Sequence, residues 1–141
     1  MYAGYPDSGF LSWTVRPPLW NHKGAFHRVL SRFVGLESPV RTVADGDRIG
    51  GFIAYHTPGH NPGHMVYLHE SRYMGALGDL VRTKTDALLP PFWFDSYDLD
   101  ALRTSVRELV ERAPAFAFAC PGHGKPLLAG NEALHALAAR I

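Results

Sequence analysis

The stretch His56-Thr57-Pro58-Gly59-His60-Asn61-Pro62-Gly63-His64 decides how the rest of the chain is read. An apolar run, Gly51-Phe52-Ile53-Ala54-Tyr55, leads into it, and a second, Met65-Val66-Tyr67-Leu68, leads out. Pro and Gly at this density favour a tight loop between two strands. Such a loop holds its imidazoles on backbone that cannot easily move. Imidazole suits zinc and other first-row metals, and a metal ligand needs a rigid support.

The totals narrow the surroundings of this loop. A chain of 141 residues makes one domain, 1–141, with an aromatic-rich lead-in and short helix over 1–37 and a main body over 38–141. With 46% apolar and 19% charged residues, the composition is that of a globular protein and not of a disordered one. A net charge of +1 without a basic run speaks against a nucleic-acid partner. No apolar stretch is long enough to span a membrane, and no basic-then-apolar leader is visible. A lone cysteine, Cys120, excludes an internal disulfide and fits a reducing, cytoplasmic setting.

Taken in order, residues 1–23 are broken by Gly4, Pro6, Gly9 and Pro17-Pro18, and their aromatic residues are expected to pack on something, another chain included. Phe26, Val29, Leu30 and Phe33 space out an apolar helical stripe over 24–35, stopped at Gly35, with His22 and His27 as surface or capping residues. Strands are expected over 39–43, over 48–55 after the Asp45-Gly46-Asp47 turn, over 65–69, and over 73–77 ending in Gly78-Asp79. A loop over 82–97 carries Pro90-Pro91 and Phe92-Trp93-Phe94, which either walls a substrate pocket or covers the sheet edge. Asp98 caps a helix over 99–112 with Leu99, Leu102, Val106, Leu109 and Val110 on its apolar face and Pro114 as its stop. A buried strand over 115–120 runs into Pro121-Gly122-His123-Gly124, and a last helix over 131–141 starts at Asn131.

Three strand ends thus present His60, Asp79 and His123. Two imidazoles and a carboxylate make a competent set for zinc or iron(II) with water in an open position. Such a metal lowers the pKa of its water towards about 7.

The ordered motifs, His-Thr-Pro-Gly-His-Asn-Pro-Gly-His, then Gly-Asp, then Pro-Gly-His-Gly, resemble the second half of a metallo-β-lactamase-fold hydrolase over roughly residues 38–128. The resemblance implies an α+β fold: half of an αββα sandwich, a mixed, mainly antiparallel sheet with helices on its outer face. It implies that His60 serves one metal, that Asp79 bridges two and takes the catalytic position, and that His123 serves the second. His56 and His64 match variable positions, with His64 a candidate support for a ligand. Cys120, three residues before His123, is a small strand-end residue or a metal contact.

The family's first motif, His-x-His-x-Asp-His, is absent: no two His stand two apart, and His22 and His27 are five apart without an Asp between them. Two expectations follow. The inner sheet face should be apolar and uncovered, closed by a second copy of the chain or by a complementary chain. The metal site should be partial, binding Zn2+ weakly, with Fe or Mn as alternatives. The functional readings are a truncated zinc-dependent hydrolase of an ester, thioester, lactone or amide, weak or inactive alone; a non-catalytic fragment that dimerises or pairs with a first-half chain; and a mononuclear iron(II) site.

Overall fold

A computed structural model of the chain describes residues 2–11, 16, 22–30 and 40–141. Its strands and helices, in chain order, are β1 (Tyr2–Gly4), α1 (Asp7–Leu11), α2 (His22–Leu30), β2 (Arg41–Val43), β3 (Arg48–Ile49), β4 (Phe52–His56), β5 (Met65–His69), β6 (Met74–Lys84), β7 (Ala87–Leu89), α3 (Leu99–Arg112), β8 (Phe118–His123), β9 (Leu127–Leu128) and α4 (Gly130–Ala138). Seven strands form one sheet in the order β3-β4-β5-β6-β8-β9, with β7 beside the far end of β6. Its neighbours run antiparallel except β6 and β8, which are parallel. The result is a mixed, mainly antiparallel α+β arrangement.

One sheet face carries the larger part of the core. Tyr55, Val66, Leu68 and Leu77 point to the side where Leu102, Val106 and Leu109 of α3 and Leu134 and Leu137 of α4 pack. The period-2 alternation of a strand sends Phe52, Tyr67 and Ala76 to the other face, where with Ile49 they line an open groove of about 390 Å³. Phe118 and Leu128, paired across β8 and β9, are 46% and 66% exposed. Val43, Ala54 and Met65 close part of this second face as a smaller buried cluster, and among the described residues it is open around Ile49, Phe52 and Tyr67. Among the described residues, no helix is long and apolar enough to cross a membrane.

Several boundaries differ from expectation, each for a local reason. The expected strand over 48–55 is a hairpin: Gly50 and Gly51 both take positive φ, 56° and 87°, the signature of a two-residue turn with the twist of its strands. β6 does not end at Leu77. It bends at Gly78, where the register against β8 shifts, and continues to Lys84 before a second tight turn at Thr85-Asp86. Asp79 therefore lies inside a strand and not at its end. β8 likewise starts later than expected and runs on through Pro121-Gly122 to His123, and it is exposed at Phe118 instead of buried throughout. Helix α4 starts at Gly130 behind a left-handed Ala129, so Asn131 is not its cap. Asp98 does cap α3, its Oδ1 accepting from the amides of Asp100 and Ala101 at 2.9 and 3.0 Å.

The described part of the lead-in packs on its own chain. β1 pairs in parallel with β2, and the Asp7 carboxylate accepts from the Gly63 amide at 3.0 Å. Of the apolar stripe expected of α2, Phe26 and Val29 are 63% and 59% exposed, whereas Lys23 and Gly24 are buried. Trp13, Trp20, Phe33, Gly35 and the side chains of His27 and Leu30 lie outside the described residues.

Candidate metal site

The His56–His64 loop closes the β4–β5 hairpin and is braced from three directions. The Thr57 amide donates to the His64 carbonyl at 2.9 Å. The carbonyl of Gly59 accepts from the Tyr97 and Asp98 amides at the start of α3, both at 2.9 Å, and Ser105 Oγ donates to the Pro58 carbonyl at 2.7 Å. Gly59 has φ 137°, and a Cβ there would fall 2.4 Å from the backbone of Leu102. Only Gly lets the loop lie directly on the helix. His56 braces the loop itself, its Nε2 donating to the Pro62 carbonyl at 2.9 Å.

This bracing buries His60 to 6% exposure. Its Nε2 stands 3.4 Å from Asp79 Oδ2, and on the far side of the same carboxylate Oδ1 stands 3.5 Å from His123 Nε2. Asp79 thus lies between two imidazoles, one buried and one, His123, 72% exposed. Gly122 is required for that approach, because a Cβ there would sit 2.2 Å from Asp79 Oδ1. Cys120 is partly buried opposite Ala76 on the neighbouring strand.

His64 orients Asp79 through the backbone. The Asp79 amide donates to His64 Nε2 at 3.1 Å, so Nε2 accepts, the ring proton is on Nδ1, and it is donated to Thr57 Oγ1 at 2.8 Å. Burial, with His60 nearby, pushes the His64 pKa down to about 4, so the ring is neutral at pH 7.

A residue that sequence reasoning passed over completes the cluster. Lys23 of α2 brings its ammonium 2.8 Å from His60 Nε2 and 3.4 Å from Nδ1. The same ammonium donates to the Asp95 carbonyl at 2.8 Å and pairs with the Asp95 carboxylate at 3.3 Å. Burial pulls the Lys23 pKa down while Asp95 pulls it back up. Burial, and then the Lys23 charge, lower that of His60. No local signal marks Lys23, since a lysine beside an apolar helical stripe reads as a solvated residue. Beyond Asp79 and His123 opens a cavity of about 280 Å³ walled by Pro91, Phe92 and Phe94, with Arg82 over the Phe92 ring at 4.3 Å. Phe92 and Phe94 of the aromatic cluster thus wall this cavity, whereas Trp93 is 71% exposed and does not line it.

In sequence the chain is similar to the probable metallo-hydrolase YybB of Bacillus subtilis (strain 168), with 35% identity over 78 residues, 55% of this chain and 34% of that protein. In structure it is similar to TTHA1623 in a di-iron-bound form, with a TM-score of 0.62 and 24% identity over 94% of this chain and 61% of that one. It is also similar to the archaeal metallo-β-lactamase superfamily protein ST1585 from Sulfolobus tokodaii, with a TM-score of 0.62 and 16% identity over 99% of this chain and 56% of that one. The fold is that of the metallo-β-lactamase superfamily. No protein-family model matches the chain. This metallo-β-lactamase-fold chain spans about a third of the length of the Bacillus relative.

Similarity to a metallo-hydrolase implies a metal cofactor. The donors of the metallo-β-lactamase-fold site fit one in kind, being imidazoles and a carboxylate. They do not fit in arrangement. Among the described residues, no three His, Cys, Asp or Glu side chains converge on one point, and the Lys23 ammonium stands 2.8 Å from the His60 nitrogen nearest Asp79.

Proposed function

We propose that this chain supplies one side of a metal-dependent hydrolase site, for cleavage of an ester, thioester, lactone or amide, with little or no turnover by itself. The observation that carries this reading is Asp79 set between the Nε2 atoms of His60 and His123, at 3.4 and 3.5 Å. The ordered donors and the similarity to a metallo-hydrolase support the reaction class. The absence of His-x-His-x-Asp-His and the failure of the donors to converge support incompleteness. On this reading zinc is the metal, His60, Asp79 and His123 are its ligands, and the site works in the cytoplasm, where Cys120 stays reduced.

A complementary chain carrying His-x-His-x-Asp-His would close the site, covering the apolar face around Ile49, Phe52 and Tyr67. The test is an ester, thioester and lactone panel with added zinc, run on this chain with and without such a partner. Turnover should stay near background alone and rise on mixing. Full turnover by the chain alone, or none in the mixture despite complex formation, contradicts the reading.

The second reading, a non-catalytic fragment, has one observation in its favour: the Lys23 contact gives His60 a stable partner without a metal. A mixture that forms a complex and binds zinc but hydrolyses nothing would favour it.

A further inference from the structure

The segment that follows β7 has two different sides. Phe92 and Phe94 stack on one another, ring centres 5.3 Å apart and planes 8° from parallel, and wall the cavity at Asp79 and His123. Trp93 stands edge-on to Phe94 and lines a second cavity instead. That cavity, also about 280 Å³, lies between Pro90-Pro91, the first turns of α3 and the chain just beyond α4. Pro91 is the wall the two share. No His, Asp or Glu lines the second cavity, so it is chemically unlike the first.

Its lining combines an apolar slot with two cations. Pro90, Trp93, Leu99 and the fully buried Leu102 supply the slot. Arg103 and Arg140 supply the charge. Arg103 is already paired, its Nη1 donating to Asp100 Oδ1 at 2.7 Å. Arg140 is held by neutral acceptors: its Nε donates to the Ala136 carbonyl at 3.0 Å and its Nη2 to the Leu88 carbonyl at 3.1 Å. The main-chain oxygen of Ile141 is taken by Arg107. Two carbonyls thus fix the Arg140 guanidinium without neutralising it, and among the described residues its Nη1 has no protein partner. A guanidinium held in this way recognises a carboxylate through charge-assisted hydrogen bonds.

Apolar walls with a few placed polar groups are the make-up of a small-molecule site, and the volume falls just under the roughly 300–1,000 Å³ typical of such sites, so the ligand is small. One guanidinium without a carboxylate beside an apolar slot favours a monoanion with an apolar body over a polyphosphate. The exposed Trp93 ring supplies surface that a ligand would cover.

We propose that this cavity is a second binding site, for a small carboxylic acid with an aromatic body. The carboxylate pairs with Arg140, and the ring lies between Trp93 and Leu99. The site needs no metal and stands apart from the hydrolase reading. Its occupant touches the back of the segment whose front walls the Asp79 cavity.

Nitrogen–proton NMR of the full chain, titrated with phenylacetate and separately with the neutral phenylethanol, tests this. The Trp93 indole signal is assigned by its loss in Trp93→Phe. Phenylacetate should move that signal saturably, with a Kd of about 1 mM or below, and phenylethanol should bind roughly tenfold more weakly. Arg140→Gln should weaken phenylacetate by a similar factor and leave phenylethanol unchanged. The proposal is overturned if the acid binds no tighter than the alcohol, if Arg140→Gln binds the acid as the wild type does, or if the largest shifts fall at Asp79 and His123 instead of around Trp93. The acid–alcohol comparison is made on the wild type, so it decides the matter even if Arg140→Gln fails to fold. Neither probe requires zinc or turnover, so failure here leaves the hydrolase reading standing.

Discussion

The two imidazoles that flank Asp79 are held in opposite ways. His60 sits in a loop pinned by the start of α3, by Asp7 and by its own hairpin, and it is almost fully buried. His123 is the last residue of β8 and is 72% exposed. Their motifs look alike, an apolar run, then Pro-Gly, then His. The difference lies in what each loop touches. Gly59 rests on the backbone of Leu102, whereas Gly122 only makes room for the Asp79 carboxylate. One half of the site is preorganised by this chain alone, and the other stays open.

The contrast can be broken most easily from the core. Leu102 is fully buried and forms the surface under Gly59, so Leu102→Ala should cost about 2–5 kcal/mol. Urea unfolding reads this, and a loss under about 1 kcal/mol would mean that the Leu102 side chain is not part of the packed core beneath the loop.

The pH dependence comes next. The His64 pKa is depressed from 6.5 to about 4 by burial, so the folded chain disfavours protonation and the unfolded chain does not. Stability is then full above pH 6.5 and falls as the pH drops towards 4, by about 3 kcal/mol from this group. Urea midpoints across that range measure it, and His64→Gln should flatten the slope.

A sharper comparison replaces the two ligands. His60→Ala empties a buried ring position beside Lys23, which keeps Asp95 and the residue-60 carbonyl, and should cost about 1–3 kcal/mol. His123→Ala removes an exposed ring and should stay within about 0.5 kcal/mol. Equal costs would mean that the two imidazoles are held alike. The smallest stability effect with the largest local one is expected of Gly122→Ala. The new Cβ would displace the Asp79 carboxylate, weakening zinc binding while the thermal midpoint hardly moves.

These residues also show what was legible in the sequence. The Pro- and Gly-framed loop, the Asp98 cap and the α3 face at Leu102, Val106 and Leu109 are local patterns, and they fold as read. So is the order of His60, Asp79 and His123, which the fold brings together around one carboxylate. What escaped depends on partners far along the chain. Gly78 reads as a strand end but bends a longer strand, because β8 pairs on both sides of the bend. Lys23 belongs to the site only because α2 docks its first turn against a loop 37 residues later. The exposure of Phe26 and Val29 is the same effect seen from the other face, since their spacing reports an apolar stripe and not what covers it.

The most direct test of the central claim, that Asp79 with its two imidazoles is a partial metal site, is native mass spectrometry of the wild type and Asp79→Asn in excess zinc. The wild type should carry zinc and Asp79→Asn should lose it, with both masses showing intact, folded protein. Equal zinc in the two, or none in either, would contradict the account.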